Sequence, residues 1–198
     1  MPNLSPGNEF VIVDLETTGL SARRHKITEI AAVKLKDGRI IDKFETLVNP
    51  GTPIPKHITK ITGIDDEMVE NAPSTRDALT DFLMFVGDAT LVAHNASFDM
   101  SFLRHHAEDR LGLSILNPSL CTMQLSKSIV PEISSRALTS LCSFFGVANE
   151  NAHRAMSDVK ATYQVFNHLK DRMEDTADEV LQQHIRIPVK KATDREIR

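Results

Sequence analysis

Cysteine is nearly absent: the chain has two, Cys121 and Cys142. Neither has a second cysteine or a histidine at metal-ligand spacing, so a Cys/His zinc site is excluded. Cysteines this sparse are expected to be reduced packing residues of a cytosolic protein, with a disulfide between them as the alternative. Long apolar runs are missing too. No segment approaches the ~20 residues needed to span a bilayer. Residues 1–8 contain no basic stretch followed by an apolar run, which predicts no signal peptide, no membrane partner and a cytoplasmic location. A GxSxG elbow, a Walker loop and a Rossmann glycine fingerprint are likewise missing, as are internal repeats and low-complexity stretches.

An excess of basic charge is also lacking. Lys and Arg total 23 against 27 Asp and Glu, a net charge of −4. Bulk charge therefore does not advertise nucleic-acid binding. Nor does it exclude it, because a carboxylate-rich metal site contributes negative charge that bound cations offset. The 198 residues suffice for one α/β domain of ordinary size with its own core and a short tail.

Three strands open the chain. Residues 9–15 form a short apolar run read as a buried strand. Residues 27–36 alternate toward a second strand, Asp37-Gly38 is a hairpin signal, and residues 39–48 return as a third. Residues 53–63 read as loop and a short helix. Ser74 is placed to cap a helix running to about Val86, with Asp77 three residues on and Gly87 as its stop. A fourth strand over 89–93, a helix over 97–111, a short strand over 119–122 and helices over 123–129 and 137–145 follow. A long helix over 154–173 is apolar at Ala155, Val159, Tyr163, Phe166 and Leu169. The expected architecture is a mixed α/β sheet, antiparallel first and parallel later, flanked by helices. Its expected divisions are a flexible N-terminus over 1–8, a domain over 9–173 and a charged helix or tail over 174–198. Within the tail, the amphipathic stretch 177–185 reads as a docking helix, a linker or a solvated terminal helix, and the last is the expectation.

Three segments carry chemistry. Asp14 and Glu16 lie two apart at the end of the first strand, so both carboxylates point to one side. Such a pair repels and loses hydration, and a divalent cation removes that conflict. An acidic pair at a solvated strand tip has the same spacing. His94-Asn95-Ala96-Ser97-Phe98-Asp99 follows the fourth strand, where sites of open α/β sheets gather. Taken alone, Asp99 is equally a dipole-favoured aspartate at a helix start, and Phe98 a core residue. In His153-Arg154-Ala155-Met156-Ser157-Asp158, a separation of five is about 140° around a helix. His153 and Asp158 cannot share a helical face, which suits His153 in the preceding loop and Asp158 on the helix. Ligands that are nearly all carboxylate suit Mg²⁺ or Mn²⁺.

Together, Val13-Asp14-Leu15-Glu16-Thr17-Thr18-Gly19 and the two segments above resemble the three motifs of the DEDDh exonucleases. The closest likeness is to the proofreading epsilon subunit and exonuclease domain of bacterial DNA polymerase III. Ile27-Thr28-Glu29-Ile30, Ile61-Thr62-Gly63-Ile64 and Leu138-Thr139-Ser140-Leu141-Cys142 support it, and it spans about residues 10–169. The resemblance implies a ribonuclease H-like fold and 3′→5′ release of nucleoside 5′-monophosphates from a single-stranded 3′ end, DNA favoured. It also implies a two-metal mechanism: Asp14, Glu16, Asp99 and Asp158 holding two divalent cations, Mg²⁺ or Mn²⁺, and His153 as general base. Thr17, Thr18, Leu20, Asn95 and Phe98 would contact the terminal nucleotide, and a DNA polymerase would be a partner in proofreading or repair. Cys121 departs from the aspartate that many relatives carry before Thr122. The run Arg23-Arg24-His25-Lys26 reads equally as a contact to the nucleic-acid backbone and as a solvated loop. Two alternatives stay open: an exoribonuclease of the ribonuclease T or oligoribonuclease type, and an inactive domain that binds nucleic acid or a partner.

Overall fold

A computed structural model describes residues 9–149 and 151–188. The segment 1–8 and the end of the tail from residue 189 lie outside the described residues. The chain opens with β1 (Phe10–Thr17), β2 (Ile27–Lys36) and β3 (Arg39–Leu47), then runs through α1 (Lys56–Thr62), α2 (Asp66–Val69) and α3 (Thr75–Val86). Next come β4 (Thr90–Ala93), α4 (Ala96–Leu111), β5 (Ser119–Cys121), α5 (Thr122–Ile129), α6 (Leu138–Phe145), α7 (Ala155–Met173) and α8 (Ala177–His184). The sheet order is β3-β2-β1-β4-β5. β1 pairs antiparallel with β2 and parallel with β4, β2 pairs antiparallel with β3, and β4 pairs parallel with β5. This is the mixed sheet that the strand order predicts.

Strand alternation sorts β1 between two layers of core. Val11, Val13 and Leu15 pack with Leu79, Phe82, Phe102 and Leu103 on the side of α3 and α4. Ile12 packs with Val159, Val165, Phe166 and Leu169 on the side of α7. With period two, Asp14 and Glu16 continue the row of Ile12 and point toward the layer of α7. In β2 the same register puts Ala31, Val33 and Leu35 in the α7 layer and Glu29 in line with them.

The caps follow their residues. Ser74 accepts from the Asp77 N–H and donates to the Asp77 carboxylate, closing the start of α3. Gly63, Gly112 and Gly146 end α1, α4 and α6 with positive φ, a conformation that a Cβ penalises. α2 was not legible from periodicity, being four residues held by an Asp65 cap on the Met68 N–H. Cys121 and Cys142 are both free, the latter buried. No described helix is long and apolar enough to cross a membrane.

One expectation is corrected at the C-terminus. The stretch 177–185 is not a solvated helix: Leu181 is 2% exposed and joins the core of α5, α6 and α7. The chain beyond α8 returns to the sheet, where Arg186 and Ser119 exchange backbone bonds of 2.9 and 2.7 Å. The amphipathic pattern was legible, but an apolar face does not say what covers it; Ala177, Val180 and Ile185 pack there beside Leu181. Leu181→Ala is expected to lower unfolding free energy by about 2–4 kcal/mol in urea denaturation. A change within about 0.5 kcal/mol, usual for a surface site, would return α8 to solvent.

Candidate active site

The end of β1 brings acidic groups into a place built for apolar ones. Asp14 and Glu16 are half-buried, Asp99 is 2% exposed and Asp158 is buried. Asp99 enters from the first turn of α4, and Asp158 is the fourth residue of α7. Their mutual repulsion registers in their acidities. Asp14 is held well above the ordinary carboxylate range, first by burial and then by the charges of Asp99, Asp158, Glu16 and Glu29. Burial first, then Asp158, Glu29 and Asp99, push Glu16 up to about 8 while Arg154 pulls it down. Burial raises Asp99 to about 8, against its own backbone N–H and that of Leu15. The charges of the four predicted carboxylates thus bear on one another.

His153 meets them from the loop before α7. Its φ is 67°, the left-handed region, which non-glycine residues adopt at some cost. Ligand atoms of His153, Glu16 and Asp158 lie within 4.8 Å of one another. His153 is exposed while Asp158 is fixed on both oxygens: Asn149 Nδ2 donates to Oδ1 at 2.6 Å and the His153 N–H to Oδ2 at 3.0 Å. The loop position required by the five-residue spacing is therefore the one found. A cluster of oxygen donors with one imidazole nitrogen fits a hard divalent cation, and shared burial of like charges supplies the reason for one.

The remaining predicted residues surround this cluster with varied freedom. Thr17 Oγ1 donates to the Gly19 carbonyl at 2.8 Å, and the Thr18 hydroxyl accepts from the Lys26 N–H at 3.0 Å. Both hydroxyls therefore shape the loop. A Cβ at Gly19 would stand 2.5 Å from the His25 ring, so the close approach demands glycine. Leu20 is 86% exposed beside the site. Asn95 has φ 61° and ψ 46°, is exposed, and accepts from Ser97 Oγ at 3.1 Å. Phe98 is half-buried against the Phe102 ring.

His94, named with the second motif, is a strut. Its Nε2 donates to the Arg136 carbonyl at 2.9 Å, which leaves Nδ1 of the neutral ring to accept from the Thr122 hydroxyl at 2.9 Å. Burial lowers its pKa in keeping with that state. His106 does a similar service for the basic loop. Its buried ring donates from Nε2 to the His25 carbonyl at 3.1 Å, and burial above all pulls its pKa down to about 4. Arg23 and Arg24 stand exposed on that anchored loop.

Two contributors were not singled out by spacing. Glu29 is 1% exposed, accepts from Arg154 Nη2 at 2.8 Å and from the Ala155 N–H at 2.9 Å. Its signal was a charged residue interrupting the apolar run of β2, directly opposite Glu16. Asn149 has no such signal, because it is one polar residue of a loop.

Raised carboxylate pKa values make stability depend on pH with a definite sign. The unfolded chain releases the protons of Glu16 and Asp99 near their ordinary values of 4.5 and 3.8, whereas the folded protein holds them to about 8. The folded state binds more protons in that window, so this contribution is full below pH 4 and lost as pH rises through about 8. In the presence of a chelator, Tm is expected to fall from about pH 5 to about pH 8. Asp14 adds a contribution of the same sign, so Glu16→Gln combined with Asp99→Asn should flatten that slope in part in thermal scans. An unchanged slope would show that these carboxylates are ionised throughout.

Comparisons with known proteins show the family. The profile of the family described as Exonuclease matches residues 11–166. The DNA polymerase III epsilon subunit of Aquifex aeolicus is 37% identical over 164 residues, covering 83% of this chain and 81% of that protein. The PolC-type DNA polymerase III of Caldanaerobacter subterraneus is 45% identical over 167 residues, 84% of this chain but only 12% of that protein's length. A structure of exonuclease X in complex with 5′ overhanging duplex DNA superposes with a TM-score of 0.72 at 28% identity, over 87% of this chain and 98% of that one. The Escherichia coli exonuclease I–ssDNA complex, at 19% identity and a TM-score of 0.77, covers 87% of this chain and 42% of its own, and shares the ribonuclease H-like fold. This chain belongs to the exonuclease family of hydrolytic nucleases, related to the DNA polymerase III epsilon subunit.

Proposed function

We propose that the protein is a 3′→5′ exonuclease that removes nucleoside 5′-monophosphates from the single-stranded 3′ end of DNA. The observation that carries this reading is the meeting of His153 with Glu16 and Asp158 beside the buried carboxylates of Asp14 and Asp99. Asp14, Glu16 and Asp158 would hold one divalent cation, and Asp14 with Asp99 a second, Mg²⁺ or Mn²⁺. When bound, such cations would offset charge on the phosphate and leaving oxygen and would lower the pKa of an attacking water. His153, exposed on its loop, takes the proton of the attacking water. Asp158, restrained by Asn149 and the His153 N–H, stays in place while the imidazole moves.

The terminal nucleotide would lie against the β1–β2 connection. Exposed Leu20 offers an apolar surface to its base, with Phe98 flanking it. Thr17 and Thr18, their hydroxyls engaged within the loop, present backbone groups to the sugar and phosphate. Asn95 lies on the same rim. Kinship with the Aquifex aeolicus epsilon subunit supports proofreading or repair beside a DNA polymerase, in the cytoplasm.

Asp14→Ala and Asp158→Ala are each expected to abolish release of mononucleotides from 5′-labelled single-stranded DNA in Mg²⁺. Undiminished release in either variant would remove that residue from the chemistry. His153→Ala should lower kcat by about 10²–10⁴-fold with Mn²⁺ affinity retained. Collapse of metal binding would instead make His153 a ligand. Oligonucleotides with a blocked 3′ end, and RNA of matched sequence, should be spared. Digestion from a blocked 3′ end would reverse the polarity, and faster digestion of RNA would change the substrate.

A further inference from the structure

α7 lacks a cap of its own. Its N-cap residue is Arg154, whose side chain bonds none of the free backbone N–H groups of the first turn, and such groups need partners when buried. The partner comes from β2, far away in the chain. Glu29 Oε2 accepts from the Ala155 N–H at 2.9 Å and from Arg154 Nε at 3.3 Å, while Oε1 accepts from Arg154 Nη2 at 2.8 Å. This is a two-pronged guanidinium–carboxylate pair, the geometry that fixes orientation as well as distance. Glu29 is 1% exposed. A buried carboxylate at such a place persists only when its bonds are made.

The bonded residues flank the working ones. Arg154 follows His153 directly, and Ala155 begins the turn that carries Asp158. On the other side of His153, Asn149 is held in a fixed sense. Ser157 Oγ donates to its Oδ1 at 2.8 Å, so its Nδ2 faces the acceptor-only carboxylate of Asp158 at 2.6 Å. His153 itself sits at φ 67°, a conformation that a free loop would seldom hold. The segment is therefore tied at both ends, to Asp158 at Asn149 and to the sheet at Arg154.

From this we infer that Glu29 is a positioning residue: it clamps Arg154 and the start of α7 to β2 and so sets where His153 and Asp158 stand relative to Asp14 and Glu16. Glu29 is paired directly across from Glu16 in the sheet. One strand-to-strand register thus ties the β1 carboxylates to the loop and helix that complete the site. Arg154 closes the arrangement electrically as well, offsetting the repulsion that Glu29 exerts on Glu16. The inference rests on the nuclease reading for its consequence in rate, and on geometry alone for its consequence in loop order.

Glu29→Gln tests it without removing volume. The amide nitrogen that replaces one carboxylate oxygen donates and cannot accept, so one of the two prongs to Arg154 is lost while the fold is kept. With single-stranded DNA and Mn²⁺, Glu29→Gln and Arg154→Ala are each expected to lower kcat by about ten- to a hundredfold, the scale of a small misplacement. KM and Mn²⁺ affinity should stay within about twofold, and the double variant should be no slower than the worse single, since both cut one link. Hydrogen–deuterium exchange should quicken at residues 151–155 in both variants and stay unchanged in β1 and β4. Unchanged kcat with unchanged exchange would overturn the inference. So would additive losses, or a rate that falls in step with Mn²⁺ affinity. Were the unaltered protein to lack nuclease activity, the function proposed above would fail, and the exchange result alone would decide whether Glu29 clamps the loop.

Discussion

Asp14 and Glu16 occupy the positions that continue, along β1, the buried row begun by Ile12. Carboxylates there lose water and face one another, Asp99, Asp158 and Glu29. Ionised and alone, such a set opposes folding; protonated, or gathered around a cation, it does not. Much of the fold's organisation serves this conflict. The central strand carries two of the acids, the helix after β4 supplies a third from one layer, and α7 supplies a fourth from the other. Apolar packing on both sides of β1 holds these elements firmly enough that the acids cannot move apart.

The parts around the acids divide the labour. Half-buried His94 and buried His106 are struts that stay neutral and tie loops to the core. His153 differs in being exposed and carried on a loop, which suits a group that must exchange protons with solvent. Around it, Asn149 and the pair of Arg154 with Glu29 confine that loop. The chemistry proposed above would need rigid ligands and a restrained but accessible base, and different residues would supply them.

Most of the architecture was legible in the sequence because its signals are local. Asp37-Gly38 marks the β2–β3 hairpin, Ser74 and Gly87 bracket α3, and the five-residue step from His153 to Asp158 puts the histidine off the helix. The candidate site was proposed for another reason: three ordered motifs resemble those of one exonuclease branch, whereas each alone has an ordinary structural explanation. Long-range interactions were hidden. The partner of Glu29 lies 125 residues away, and nothing in the sequence near Glu29 announces it. The amphipathic stretch of α8 was legible, but not the layer of α5, α6 and α7 that its apolar face meets. The engagement of the Thr17 and Thr18 hydroxyls within their loop depends on how the loop folds back, which residue type alone does not reveal.

The most direct test is calorimetric titration of the protein with Mn²⁺ near neutral pH in two buffers of different protonation enthalpy. If burial and mutual repulsion keep Glu16 and Asp99 protonated to about 8, cation binding must displace protons. The account predicts saturable binding with at least one proton released per chain, both lost in Asp14→Ala. Binding with no proton release, or no binding at all, would contradict it.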